Sequence, residues 1–244
     1  MNEQITLDTA PEVSFAELGV PARLVNALTK LGKSNAFPIQ IATLPSTLEG
    51  RDVLGRGKTG SGKTLAFSIP LVARLLGELA GGARRPGRPL GLVLAPIREL
   101  ATQIARVVEP LASGSGLSIM TIFGGVSQRP QEDAMRRGVD IVIACPGRLE
   151  DLMKQGIVKL DAVEIAVLDE ADHMADLGFL PGVARCIETT GASQDLTRRS
   201  RPPRGIPSRR RASHRVRQHA RAAPCRSSPR AHDLRPHQHP EAPQ

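Results

Sequence analysis

Apolar positions along the chain follow two alternating patterns. Short, mostly apolar runs at 90–95, 118–122, 140–144 and 164–168 have the length of strands buried on both faces. Between them, Leu65, Ile69, Val72, Leu76 and Leu79 recur at the spacing of one helix face, and so do Leu100, Ile104, Val107 and Leu111. Leu24, Leu28 and Leu31 repeat that spacing within an otherwise polar first fifty residues. Strands alternating with helices predict an α/β domain whose mostly parallel sheet is covered by helices on both faces. Residues 80–89 (AGGARRPGRP) carry the Gly and Pro of a loop.

The alternation stops near Ser193. The remaining 52 residues hold eight Pro and five His but only Leu196, Ile206, Val216 and Leu234 from the large apolar types. So little apolar area does not offset the entropy of ordering a chain, and this segment is expected to be disordered. It also explains the charge. The whole chain carries 33 basic and 24 acidic residues, +9; the last 52 residues hold 13 Arg and 3 acids, +10, which leaves 20 against 21, or −1, for residues 1–192. Three readings of this tail stay open: a basic arm that binds RNA by counterion release, a stretch translated out of frame, or a metal site in His214, His219, His232, His237 and His239, which lack a structured frame. Three cysteines without paired spacing disfavour both a disulfide framework and a zinc site, and point to a reducing, cytoplasmic setting. No apolar run is long enough for a membrane span, and no secretory signal is visible at the N-terminus.

Two segments carry candidate chemistry. Gly57-Lys58-Thr59-Gly60-Ser61-Gly62-Lys63-Thr64 fits the phosphate-loop pattern in full, between a short apolar stretch and a helical pattern. Glycines let successive N–H groups turn toward phosphate oxygens, and the following helix start adds partial positive charge. Lys63 then reaches the β- and γ-phosphates and the Thr64 hydroxyl ligates Mg²⁺. The run 164–168 ends in Asp169 and Glu170, where Asp169 is placed to hold Mg²⁺ and Glu170 to orient or deprotonate a water.

Asp-Glu-Ala-Asp at 169–172 after a phosphate loop resembles the DEAD-box family of ATP-dependent RNA helicases. Phe37-Pro38-Ile39-Gln40, with Gly32 and Phe15 upstream, resembles that family's adenine-sensing Q motif. The resemblance implies that Gln40 reads the adenine edge and that Phe15 packs nearby. Pro96-Ile97-Arg98, Gly124-Gly125 and Cys145-Pro146-Gly147-Arg148 resemble three elements that contact the RNA sugar-phosphate backbone in the family. From these the implied RNA contacts are Pro96, Arg98, Gly124, Gly125, Pro146, Gly147 and Arg148. Ile97 and Cys145 stand where the family usually has Thr, which removes two hydroxyls from that edge. With no Trp or Tyr, contacts should be to backbone and insensitive to sequence.

The resemblance implies a flexible stretch at 1–14, a RecA-like ATP-binding domain at 15–192 and the basic tail at 193–244. The family's Ser-Ala-Thr motif and second RecA-like domain find no counterpart in the sequence, so the expectation is the ATP-binding half of a helicase. The alternatives are a noncatalytic ATP- and RNA-binding module or a nonfunctional remnant. His173 is expected near a helix start, and Cys145 and Cys186 as packed thiols.

Overall fold

The computed structural model describes residues 12–76 and 85–190, and the backbone of 214–217. In chain order the helices are α1 (Ala22–Lys30), α2 (Pro38–Glu49), α3 (Lys63–Leu75), α4 (Arg98–Ala112), α5 (Arg129–Arg137), α6 (Pro146–Lys154), α7 (Ala171–Asp176) and α8 (Leu180–Glu188). The strands are β1 (Val53–Leu54), β2 (Gly91–Leu94), β3 (Ile119–Ile122), β4 (Ile141–Ala144), β5 (Ile165–Leu168) and β6 (His214–Arg217). They form one parallel sheet in the order β1-β6-β5-β2-β4-β3.

Side chains alternate across a strand, and this divides the core in two. Val93, Ile143, Ile165 and Val167 face a layer built from α1, α2, α3 and α4, in which Leu24, Leu28, Leu44, Phe67 and Ile104 are buried. Leu92, Leu94, Val142, Ala166 and Leu168 face a second layer holding Met135 of α5, Leu149 and Leu152 of α6, Met174 of α7 and Val183 of α8. Strands apolar on both faces are therefore what this architecture needs.

The four strands expected from the sequence, β2 to β5, lie within a residue of their expected bounds. Leu31 does not join the buried stripe of α1: it is the residue that ends the helix and is 43% exposed. Leu79 and the first half of the 80–89 loop lie outside the described residues, as does most of 1–14. Within 193–244, the segment expected to be disordered, the backbone of 214–217 forms β6; the rest of that segment lies outside the described residues. β6 joins β1 to β5 and pairs with both, which satisfies the inner-edge N–H and C=O groups of each. His-Arg-Val-Arg gives no apolar pattern, so only the gap in the sheet marks it as a strand. No helix among the described residues is long and apolar enough to cross a membrane.

Candidate functional site

Because all six strands are parallel, their C-terminal ends share one edge of the sheet. The register sets Leu54 of β1, Arg217 of β6 and Leu168 of β5 level with one another. Parallel neighbours lie about 4.8 Å apart, so the loops leaving β1 and β5 begin about 10 Å apart on that edge. Ligands of open α/β sheets sit in the crevice at this edge.

The loop after β1 closes on α3. Gly60 and Gly62 take φ of 82° and 86°, values that side chains with a Cβ rarely adopt. A Cβ on Gly57 would lie 2.5 Å from Ser61 Oγ, so close packing inside the loop also requires glycine. Lys58 and Thr59 are exposed at its tip, whereas Lys63 and Thr64 are half-buried in the first turn of α3. Lys63 Nζ donates to Gly57 O at 2.9 Å. The Ser61 hydroxyl is buried without a hydrogen-bond partner. A cradle with an ammonium resting on its own carbonyl, an unsatisfied hydroxyl and a helix start suits a phosphate group.

Gln40 braces this loop from α2. Its side chain is 1% exposed; Oε1 accepts from Phe37 N at 2.8 Å and Nε2 donates to Gly62 O at 2.9 Å. The Phe37 ring is 53% exposed beside Gly62. Phe15 is 1% exposed in the core with Leu24, Leu28 and Leu44, so it seats the α1 and α2 layer.

Asp169 stands just past β5 and is 3% exposed. Burial pushes its carboxyl from 3.8 up to about 6; the Lys63 ammonium pulls it back, while Glu170 and Asp172 push further upward. Attraction from Lys63 means that the two sequence segments lie within electrostatic reach of each other. A buried carboxyl within electrostatic reach of Lys63, and the Thr64 hydroxyl in the first turn of the same helix as Lys63, are donor types that suit a hard divalent cation. Glu170 has φ 49° and ψ 51°, and among the described residues it is the one non-glycine with positive φ. Such backbone strain gathers at functional sites. It turns the chain into α7, its N–H donates to Asp169 Oδ1 at 3.1 Å, and His173 Nδ1 lies 3.3 Å from Glu170 Oε2.

The three expected RNA elements follow β2, β3 and β4, on the same edge as the phosphate loop. Arg98 is exposed at the start of α4 and pairs with Glu99 at 2.7 Å. Gly125 (φ 77°) lies beside it: a Cβ there would be 3.7 Å from Arg98 Nη1. Arg148 Nη1 and Nη2 each donate to Val126 O at 3.4 Å. Gly124 and Gly147 are exposed, but the rings of Pro96 and Pro146 are buried, so these prolines shape helix starts and present no ring surface. Cys145 is half-buried here, its thiol pushed up to about 11 by burial and, secondarily, by Glu99, which keeps it protonated at neutral pH. Sequence reading missed a groove of about 370 Å³ lined by Arg98, Glu99, Thr102, Gln103, Arg106 and Phe123. Its sequence signal is the spacing of Arg98, Thr102 and Arg106 along one face of α4.

Comparison with known proteins adds an independent line. The family model described as DEAD/DEAH box helicase matches residues 37–201. The chain is 44% identical over 184 residues to the DEAD-box ATP-dependent RNA helicase 3B, chloroplastic, of Zea mays, a match covering 75% of this chain and 24% of that protein. It is 44% identical over 172 residues to the ATP-dependent RNA helicase RhlB of Photorhabdus laumondii, covering 70% and 40%. The chain thus spans between about a quarter and two-fifths of the length of these curated relatives. Among solved structures, the RNA-helicase Prp28 from Chaetomium thermophilum bound to ADP matches with TM-score 0.65 and 35% identity over 72% of this chain and 42% of that one. A hypothetical ATP-dependent RNA helicase from Sulfolobus tokodaii matches with TM-score 0.61 and 33% identity, over 69% and 47%.

Proposed function

The chain belongs to the DEAD/DEAH box helicase family, and from that premise we propose that residues 15–192 form an ATP-binding RecA-like domain working in ATP-dependent RNA remodelling. ATP binds at the ends of β1 and β5, and a single-stranded RNA backbone lies along the ends of β2, β4 and β3. The observation that carries this reading is that the phosphate loop and Asp169 leave the same sheet edge, with Lys63 within electrostatic reach of Asp169.

Each residue has a separable task. Lys63 exchanges Gly57 O for β- and γ-phosphate oxygens, while the amides of the loop and the first turn of α3 bind the rest of the phosphate chain. An amide side chain has two N–H and two lone pairs, so Gln40, which uses one of each internally, keeps one of each for an adenine edge. Thr64 and Asp169 are the residues that would hold Mg²⁺, which neutralises charge on the phosphates when bound. Glu170 orients the attacking water and takes its proton as the water oxygen bonds to the γ-phosphorus and the bond to the β,γ-bridging oxygen breaks, leaving ADP and phosphate. Arg98 and Arg148 bind RNA phosphates as cations, and the exposed amides of Gly124, Gly125 and Gly147 donate to them, which gives little sequence preference.

This is one half of a two-part site. The arginines that neutralise the transferring phosphoryl group belong in the family to a second RecA-like domain, outside residues 15–192. The free thiols of Cys145 and Cys186 suit a reducing, cytoplasmic setting.

Titrating the full chain with a fluorescent ATP analogue and Mg²⁺ tests the reading. Saturable binding that weakens by about tenfold or more in Lys63→Ala is expected, with slow turnover that RNA accelerates little. Equal binding by wild type and Lys63→Ala would remove the assignment of the phosphate site. Fast RNA-stimulated hydrolysis would remove the half-site argument.

A further inference from the structure

The loop 123–127 between β3 and α5 is where the three candidate RNA elements meet. It contains Gly124 and Gly125, its Val126 carbonyl takes both Arg148 nitrogens at 3.4 Å, and Gly125 lies against the Arg98 guanidinium. Two glycines and a 46%-exposed Val126 give it little intrinsic rigidity.

Its shape is held from below. Gln131 on α5 is 4% exposed, and its Nε2 donates to Phe123 O at 3.1 Å and to Ser127 O at 3.2 Å, so one amide group staples both ends of the loop. Gln131 Oε1 is buried with no hydrogen-bond partner. Flipping the amide would not relieve this, because it would turn Oε1 toward two carbonyl oxygens. A side chain that only filled this volume would be better apolar, since a buried half-satisfied amide is unfavourable. The two N–H bonds tie Phe123 and Ser127 to one side chain.

Resting on the RNA reading above, we propose that Gln131 is a positioning residue for RNA: its buried amide clamps the 123–127 loop so that Arg98, Gly124, Gly125 and Arg148 face one nucleic-acid backbone. It touches no RNA itself. Its effect is to raise the fraction of molecules whose loop is competent to bind, and apparent affinity scales with that fraction.

Photocrosslinking a 4-thiouridine single-stranded oligonucleotide to the full chain, with peptide mapping, separates this surface from the Arg-rich tail. Gln131→Met keeps the volume and removes both donors; Gln131→Glu keeps the shape and sets an oxygen against the two carbonyls. In both, crosslinks to 96–98, 124–126 and 147–148 should fall about tenfold, with affinity for a fluorescent ATP analogue within about twofold of wild type. Amides 124–126 should also exchange hydrogen faster, a reading confined to folded molecules. Crosslinks at wild-type level, or RNA and nucleotide binding lost in equal proportion, would overturn the clamp while leaving the RNA reading intact. Wild-type protein that crosslinks nowhere on these three loops would overturn the RNA reading and the clamp with it.

Discussion

Replacing Asp169 by Asn should make the ligand-free protein more stable at neutral pH. The Asp169 carboxyl is 3% exposed, and burial lifts its pKa from 3.8 to about 6 despite the attraction of Lys63. A carboxyl whose folded pKa lies above its unfolded value favours the fold fully below pH 3.8, and that contribution is lost as pH rises through about 6. A shift of about two units, at 1.36 kcal/mol each, means that ionised Asp169 costs the fold about 3 kcal/mol at pH 7.5 and less than about 1 kcal/mol at pH 4. Asn has the same shape, and its Oδ1 still accepts the Glu170 N–H now bonded at 3.1 Å, but it does not ionise. Urea unfolding followed by circular dichroism suits a chain without Trp, run with chelator and no nucleotide. Asp169→Asn should exceed wild type by about 3 kcal/mol at pH 7.5, the gap closing toward pH 4. Equal stability at pH 7.5, or a gap that ignores pH, would refute the buried-carboxylate argument. With Mg²⁺ and ATP analogue present the wild type should gain more stability than the variant.

Four further outcomes are expected. Affinity for the Mg²⁺-nucleotide should fall as pH drops below about 6, because protons then compete at Asp169; calorimetric titration between pH 5 and 8 giving a flat profile would contradict this. Gly62→Ala imposes φ 86° on a residue with a Cβ 2.5 Å from Gln40 Nε2 and 2.6 Å from the Phe37 ring, so it should cost about 1–3 kcal/mol, and unchanged thermal melting would sink it. Gln40→Ala leaves Gly62 O and Phe37 N–H without the side chain that pairs them, for a loss of about 1–3 kcal/mol, and should erase ATP-over-GTP preference in competition titrations. Phe15→Ala should cost about 3–5 kcal/mol in urea unfolding, as for a fully enclosed ring; a loss below about 1 kcal/mol would place the ring outside the core.

Local pattern made much of the candidate site legible. The phosphate loop, the acidic strand end and Gln40 are short runs whose residue types follow directly from phosphate, metal and amide chemistry. Strands β2 to β5 are legible because burial on both faces demands mostly apolar runs. Gln131 was not legible: a glutamine in the polar helix α5 looks like a solvated face until its amide is seen under the 123–127 loop. The burial of the prolines at 96 and 146 was equally illegible, since a motif names a residue without saying which way its ring points. β6 escaped because its one apolar residue, Val216, carries no period.

By itself, then, the sequence determined the element types, the α/β class and the residue kinds able to hold a triphosphate, because these depend on interactions between near neighbours in the chain. Tertiary structure decided what lies level with what: Leu54 with Leu168 across β6, Lys63 within electrostatic reach of Asp169, and Gly125 and Val126 beside Arg98 and Arg148. Those are contacts between residues tens of positions apart, fixed by strand order and register, and no local periodicity encodes strand order.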